Sequence, residues 1–428
     1  MKTRWIVIFC ITAVISIAGL FFAESKDLFT AVDENINYAD TAWMITASIL
    51  VLLMTPGVSF FYGGMVKAKN IISTMLQSYI AMGIISIIWL VVGFSLAFGD
   101  DIGGIIGNPA TFFMFNNVGW ATDAALSPTI PLVLFALFQM KFAILTPALI
   151  TGSFAERVHF SAYIIFIVIF SLVVYTPIAH MVWHPDGLFR SWGVTDFAGG
   201  LVVHTSSGVA ALAGAIFLGK RKHSANIPVN IPFVLLGMAL LWIGWFGFNS
   251  GSSLAVNGVA VKAFLNTNTA AAVAMITWIT FDSLMGRKPG AVAASVGAVA
   301  GLVGITPMAG MVTVGQSLFV GFITAMVCNL AIYAFSNSVD DALDVFPTHG
   351  VGGIVGSLLT AVFVNGLLAG NTHEFLMHVV AIIITVAYSF IASYVIYYII
   401  NKFIPMRVSE ENEDIGLDIS QHNEKYGM

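Results

Sequence analysis

The sequence predicts an all-α polytopic membrane protein of about eleven transmembrane helices, built as an inverted five-plus-five repeat around one shared central site. Three observations predict it. The 428 residues are 58% hydrophobic and only 9% charged, with a mean hydropathy of +0.92; a soluble domain of average make-up is about a quarter charged. Apolar runs long enough to cross a bilayer, about 20 residues each, recur along the whole chain. Finally, Asp196-FAGGLVV-His204 and Asp341-ALDVFPT-His349 each place a histidine eight residues after an aspartate, and each histidine stands four residues before a glycine, Gly208 or Gly353. Titratable residues at membrane depth are costly to bury and point to function. A matched pair in the two halves of one chain suggests a repeat with its site between the copies.

Composition also excludes. The 40 glycines favour close approach of helices where lipid removes the hydrophobic drive. Strand-like alternation is absent, which argues against an outer-membrane barrel. A net charge of -5 without a basic stripe argues against nucleic-acid binding. Cys10 and Cys328 lie far apart in apolar segments and fit neither a disulfide framework nor a metal knuckle.

Residues 1–23 resemble a secretory signal: Lys2 and Arg4 precede the apolar run Trp5 to Phe22, and Ala23 follows. Cleavage is the expectation, with an uncleaved extra span as the alternative, because the run is long and Phe21 stands where a small residue belongs. Spans are then expected at 42–64, 72–99, 129–153, 159–181, 197–219, 232–250, 258–284, 290–305, 312–335, 348–365 and 374–403. Pro128, Pro131, Pro185, Pro228, Pro232, Pro289, Pro307 and Pro347 mark the joints. Residues 100–128 form a longer mixed loop. Lys67, Lys69, Arg157, Lys220, Arg221, Lys222, Arg287, Lys288, Lys402 and Arg407 fall in alternate loops, and the opposite set holds little beyond Arg190 and Lys262. Positive charge stays inside, so residue 41 is expected outside and the acidic tail 404–428 in the cytoplasm. That tail is either a frayed, solvated terminus or a docking segment for a cytosolic partner. The halves match again where Phe61-Tyr-Gly-Gly64 closes the first span and Phe248-Asn-Ser-Gly251 the sixth. An odd number of spans per copy inverts the second copy.

On a helix, the spacing of eight keeps aspartate and histidine on one broad face, about 12 Å apart, with Asp196 near the mouth and His204 near the core. Pro347 breaks or starts a helix just before His349. A helix N-terminus and apolar surroundings both disfavour a charged imidazole, so two neutral rings are expected, each with one donor and one acceptor nitrogen. They could form a polar strip in an apolar lumen. The plainer alternative is two separate packing histidines. For Asp196 an N-cap explains the residue well, with a lowered cost for a nearby cation as a second role; Asp341 reads as its structural counterpart. Among aromatics, Trp183, Trp245 and Phe248 (with Ser252 four residues on), and the pair Phe138 and Phe142 stand out. A tryptophan face attracts a desolvated cation by about 0.5–2 kcal/mol, a serine hydroxyl accepts, and paired phenylalanines make a dry gate. The alternative is an interfacial aromatic belt. His180 and His184 read as loop or interface histidines.

Several strings resemble the ammonium transporter (Amt/Mep/Rh) family: FYGG at 61–64, GSFAERVHF at 152–160, PIAHMVWHPDG at 177–187, DFAGGLVVHTSSG at 196–208, IGWFGFNSGS at 243–252, GITPMAG at 304–310, DDALDVFPTHGVGGIVG at 340–356 and GLDIS at 416–420. They run in order from about residue 40 to 420. Trp183 and the GLDIS tail make the bacterial and archaeal Amt branch a better fit than Rh. The resemblance implies a multi-pass protein of the cell (inner) membrane, a homotrimer with one central pore per subunit, that moves ammonium or ammonia. It implies a substrate site of Trp183, Ser252 and Phe142 supported by Asp196, a gate of Phe142 and Phe248, and a pore histidine pair, His204 and His349, with Trp245 and Asp341 supporting. It implies the membrane domain at 40–403, and a tail at 404–428 where a PII-type nitrogen-signalling protein docks. No cofactor or metal is implied, and no enzyme: an intramembrane metalloenzyme on the two histidines lacks an HExxH motif or a third convergent ligand. Lys141 sits poorly with this reading, since it is charged, mid-span and next to the gate; adjacent helical residues diverge by about 100°, which turns it away from an inward Phe142. An Rh-like electroneutral gas channel and a poorly conducting ammonium sensor are the rival functions.

Overall fold

The computed structural model describes residues 2–21, 28–30, 32–224, 228–364 and 366–427. Eleven helices among them are long and apolar enough to cross a membrane: Tyr38–Met65, Ala68–Phe98, Leu132–Ile150, Phe160–Ser191, Gly200–Leu218, Ile231–Ser253, Gly258–Leu284, Ala291–Met308, Val314–Ser336, Phe346–Ala369 and Thr372–Phe403. They are numbered below as the first to eleventh spans. The expected joints hold. Asn37 and Asn257 cap the first and seventh spans with their side chains, Thr313 and Gln316 form a capping box at the ninth, and Pro232 and Pro347 sit in the first turns of the sixth and tenth. The loop 100–128 is ordered by a two-residue hairpin, Asp101–Ile102 against Ile106–Gly107.

Glycines set the inversion. A Cβ on Gly57 would meet Leu241, one on Gly244 would meet Met54 and Leu50, and one on Gly247 would meet Leu50 and Ala47. Residue numbers fall along one helix as they rise along the other, so the first and sixth spans pack antiparallel at near-backbone contact. The fifth and tenth do the same, with Gly208 against Gly350 and Gly353 against Thr205 and Gly200. Helices five apart in sequence are thus paired head to tail. The third and fifth spans are the most enclosed, each 83% buried, while the ninth and eleventh are 33% buried and show their apolar faces outward. The most enclosed part therefore lies around the third and fifth spans, with the fourth and eighth, each 72% buried, next to them in burial.

A shorter helix, Lys2–Gly19, precedes the first span. Its Trp5 ring lies 6.4 Å from that of Phe160. The expected cleavage point near Ala23 lies outside the described residues.

The basic loops share one face, and there the tail is folded rather than frayed. Asp418 Oδ1 and Oδ2 accept the amides of Ser73 (2.8 Å) and Ile72 (3.1 Å), capping the second span from a distance of over 340 residues. Asn70 Oδ1 takes the Leu417 amide, and Lys69 Nζ donates to the carbonyls of Glu413 and Asp414 at 2.8 and 2.6 Å. Beside it, buried Arg221 pairs with Asp340 (2.6 Å) and Glu156 (3.1 Å); breaking such a pair costs about 3–5 kcal/mol. Asp418→Ala is expected to release the tail without unfolding the spans. Limited proteolysis should then cut within 404–427 at least about tenfold faster, and an unchanged cleavage rate would show that the docking does not depend on this carboxylate.

Candidate functional site

Gly199 takes a φ of +116, a left-handed conformation that favours glycine, and so breaks the chain just before a π-helical turn at Gly200–Thr205. The Asp196 carboxylate bridges the break. Oδ1 accepts from Gly199 (2.8 Å) and Gly200 (2.7 Å), and Oδ2 from Leu201 (2.7 Å) and Val202 (3.2 Å). This is an N-cap widened to serve four orphan amides. Burial pushes the carboxyl above the usual range, and the four amides oppose that. In the other half Asp341 Oδ2 accepts the Phe346 amide at 2.7 Å; burial pushes this carboxyl up to about 6. The expectation of aspartate and histidine on one helical face is corrected here. Asp196 lies outside the helix, because Gly199 turns the chain between them.

Two π turns carry the histidines: His204 in Gly200–Thr205, His349 in Phe346–Val351. Such turns are uncommon and recur at functional sites. The two rings meet. Their Nδ1 atoms are 3.3 Å apart, the ring centres 5.3 Å apart at 22°, and the residues 0% and 5% exposed. One Nδ1–Nδ1 bond holds one hydrogen, so one ring donates and the other accepts there. Neutral rings then hold opposite tautomers: one Nε2 offers a lone pair and the other an N–H. His204 Nε2 is buried without a protein partner.

Aromatic rings continue the line. Trp245 stacks on His204 at 5.2 Å and donates Nε1–H to Thr306 Oγ1 at 2.8 Å. Phe248 lies 5.8 Å from His204, and Phe142 stacks on Phe248 at 4.2 Å. Trp183 meets Phe142 edge-on at 5.7 Å, and Phe138 packs on Phe142 at 4.9 Å. The succession is Trp183, Phe142, Phe248, His204, His349. Over it opens a cavity of about 520 Å³ on the face opposite the basic loops, lined by Trp183, Phe142, Phe138, Gln139, Asp196 and Ser252 among others. The indole is fixed by Nε1–H donation to the Asp196 carbonyl (2.9 Å), and Arg190 Nη1 donates to the Trp183 carbonyl (3.1 Å). Ser252 donates to the Phe248 carbonyl at 2.7 Å, which leaves its oxygen lone pairs to accept.

The structure thus brings together Trp183, Ser252, Phe142, Phe248, Trp245, His204 and His349. Asp196 is beside them with both oxygens committed to backbone, and Asp341 lies at the start of the tenth span. Lys141 does not line the cavity; its Nζ is 3.7 Å from Met140 Sδ. The reading of His180 as a loop or interface residue is corrected. It is fully buried, Nδ1 at 3.0 Å from the Ala97 carbonyl and Nε2 at 2.9 Å from Asp101, with His184 stacked on it at 4.3 Å. The long loop folding back over the helix end encloses it. Thr306, Gln139 and Arg190 were not foreseen at the site. Only Arg190 carried a signal, as a rare cation in its set of loops.

The description Ammonium Transporter Family matches residues 42–426. The chain belongs to this family. It is 45% identical to the ammonium transporter of Bacillus subtilis over 398 residues, covering 90% of this chain and 98% of that one. It is 43% identical over 402 residues to a putative ammonium transporter of Methanothermobacter thermautotrophicus, covering 91% and 98%. The crystal structure of Candida albicans Mep2 superposes with a TM-score of 0.83 at 33% identity, covering 89% of each chain. A sensor Amt protein gives 0.83 at 30%, covering 90% and 98%. The resemblance read from FYGG, DFAGGLVVHTSSG and DDALDVFPTHGVGGIVG is borne out, as is the multi-pass helical fold. Membership and these likenesses support ammonium transport across a membrane.

Proposed function

We propose that this ammonium transporter recruits NH4+ in the cavity at Trp183 and Ser252, where ring face and hydroxyl replace part of its hydration. Asp196 serves by holding the wall and the π turn in place. A bare cation in apolar surroundings is prohibitively costly, so the proton leaves before or while the molecule passes Phe142 and Phe248. Neutral ammonia then hydrogen-bonds along His204 and His349, and the proton passes separately over the imidazole pair. The observation that carries this is the continuous contact from indole through stacked phenylalanines to the bonded histidines. A proton taken up on the bare Nε2 of the donor ring, passage of the bridging Nδ1 hydrogen and loss of the other ring's Nε2 hydrogen exchange the two tautomers and carry one proton along the pair.

On this reading the cavity faces outward and the basic loops and tail face the cytoplasm of a cell (inner) membrane protein, with residues 40–403 as the membrane domain. Residues 1–23 serve as a cleaved signal, the assembly is a homotrimer, and the tail 404–428 offers a PII-type partner its surface. Ammonium is expected to evoke a current in liposomes and potassium none. Trp183→Leu should raise the half-saturating ammonium concentration by about tenfold, in line with loss of a desolvated cation–π contact. Equal currents for both ions would exclude the proposed deprotonation, and ammonium flux without current would favour the electroneutral channel. The sensor reading, in line with the sensor Amt likeness, predicts little flux and little current.

A further inference from the structure

We propose that His378, near the outer end of the eleventh span, is a positioning residue of the ammonium site. This rests on the reading of Trp183 and Ser252 as that site. The segment 193–197 forms one wall of the cavity. It also supplies the Asp196 carbonyl that fixes the Trp183 indole. Nothing in the segment itself is helical or paired in a sheet. It is held from behind. His378, 1% exposed, accepts the Thr195 amide through Nε2 at 2.8 Å, and its Nδ1 is 2.8 Å from the Glu374 carbonyl.

These two contacts assign the ring. An amide can only donate, so Nε2 is the acceptor; a carbonyl can only accept, so Nδ1 carries the hydrogen. The arrangement needs a ring with one proton. A second proton would put N–H against N–H and push Thr195 away, one residue before Asp196. The chain from His378 is thus Thr195, the Asp196 carbonyl, the Trp183 indole.

The test is methylammonium uptake by full-length protein in liposomes, with KM and kcat read separately. Wild type, His378→Gln, His378→Leu and Trp183→Leu are compared. A glutamine side-chain oxygen can accept the Thr195 amide as Nε2 does. His378→Leu is expected to raise KM by about tenfold with kcat little changed, since the part-buried Thr195 amide loses this acceptor. His378→Gln should keep the wild-type KM. A leucine variant with unaltered KM overturns the proposal, as does a glutamine variant whose KM rises as far as that of the leucine variant. If His378→Leu does not fold, His378→Ala, which also lacks an acceptor, takes its place. Trp183→Leu separates the two readings: an unchanged KM there removes the ammonium site itself, whereas a raised KM beside wild-type behaviour in both His378 variants removes only the positioning role.

Discussion

Alanine at Gly208 is expected to cut ammonium flux at least tenfold while the protein still folds. A Cβ at Gly208 would overlap the Gly350 amide nitrogen and Cα, and would crowd the His349 carbonyl carbon at 2.9 Å. The clash is with backbone, so no rotamer change relieves it. Overpacking of this kind costs about 1–3 kcal/mol, which a multi-span protein can survive. Relief requires the fifth and tenth spans to separate by a fraction of an ångström or more. The Nδ1–Nδ1 contact is 3.3 Å, and a hydrogen bond is lost beyond about 3.5 Å. The site therefore fails before the fold does. Gly353→Ala should act from the other side, since its Cβ would stand 2.7 Å from Thr205 Oγ1 and 2.8 Å from the Gly200 carbonyl. Gly83→Ala is the control, with nothing within 4 Å of the added carbon. Flux in liposomes, read beside the thermal aggregation temperature, distinguishes the cases. Normal flux in Gly208→Ala would mean that the histidines need not touch.

These glycines also show what could be read from sequence. The spacing from each histidine to a glycine four residues on was visible, and so was the duplication; that each glycine faces the other histidine's segment was not, because only the inverted crossing of the two spans reveals it. Span positions were legible to within about four residues because hydropathy is local, except the end of the fourth, which runs to Ser191 rather than 181. The roles of Phe142, Phe248 and Trp183 were reached through family resemblance, since composition alone favours an aromatic belt. The capping chemistry of Asp196 was foreseen, but its place relative to His204 was not. A spacing of eight was taken as helical rise, but the positive φ at Gly199 cannot be seen in a string that already holds two glycines in a row. His180 and the tail failed for one common reason. Asp101 with His180, and Asp418 with Ile72 and Ser73, are contacts between distant segments, and no local pattern encodes them. Lys141 kept its ambiguity: its direction was foreseen, its company was not.

Replacing both His204 and His349 with leucine is expected to abolish ammonium-evoked current. The substitution keeps apolar volume near the site, so Trp245 and Phe248 retain a surface to stack on. It removes the one polar strip along the proposed path, where His204 and His349 are 0% and 5% exposed. A neutral ammonia molecule loses hydrogen-bond partners there, at about 1–3 kcal/mol for an unmet polar group. A proton loses far more. Without imidazole, neither Phe248 nor the two leucines can accept and return it, and crossing as a bare charge is prohibitive. The current should therefore vanish while some neutral flux persists, seen as internal alkalinisation of liposomes loaded with a pH dye. Each single leucine variant leaves one ring. On the proposed reading the relay needs both rings, so either single change should cost nearly as much current as the double one, rather than half. Full current in the double variant would refute the relay. Persistent current in the single variants alone would show that one ring suffices, which the opposed tautomers of the bonded pair argue against.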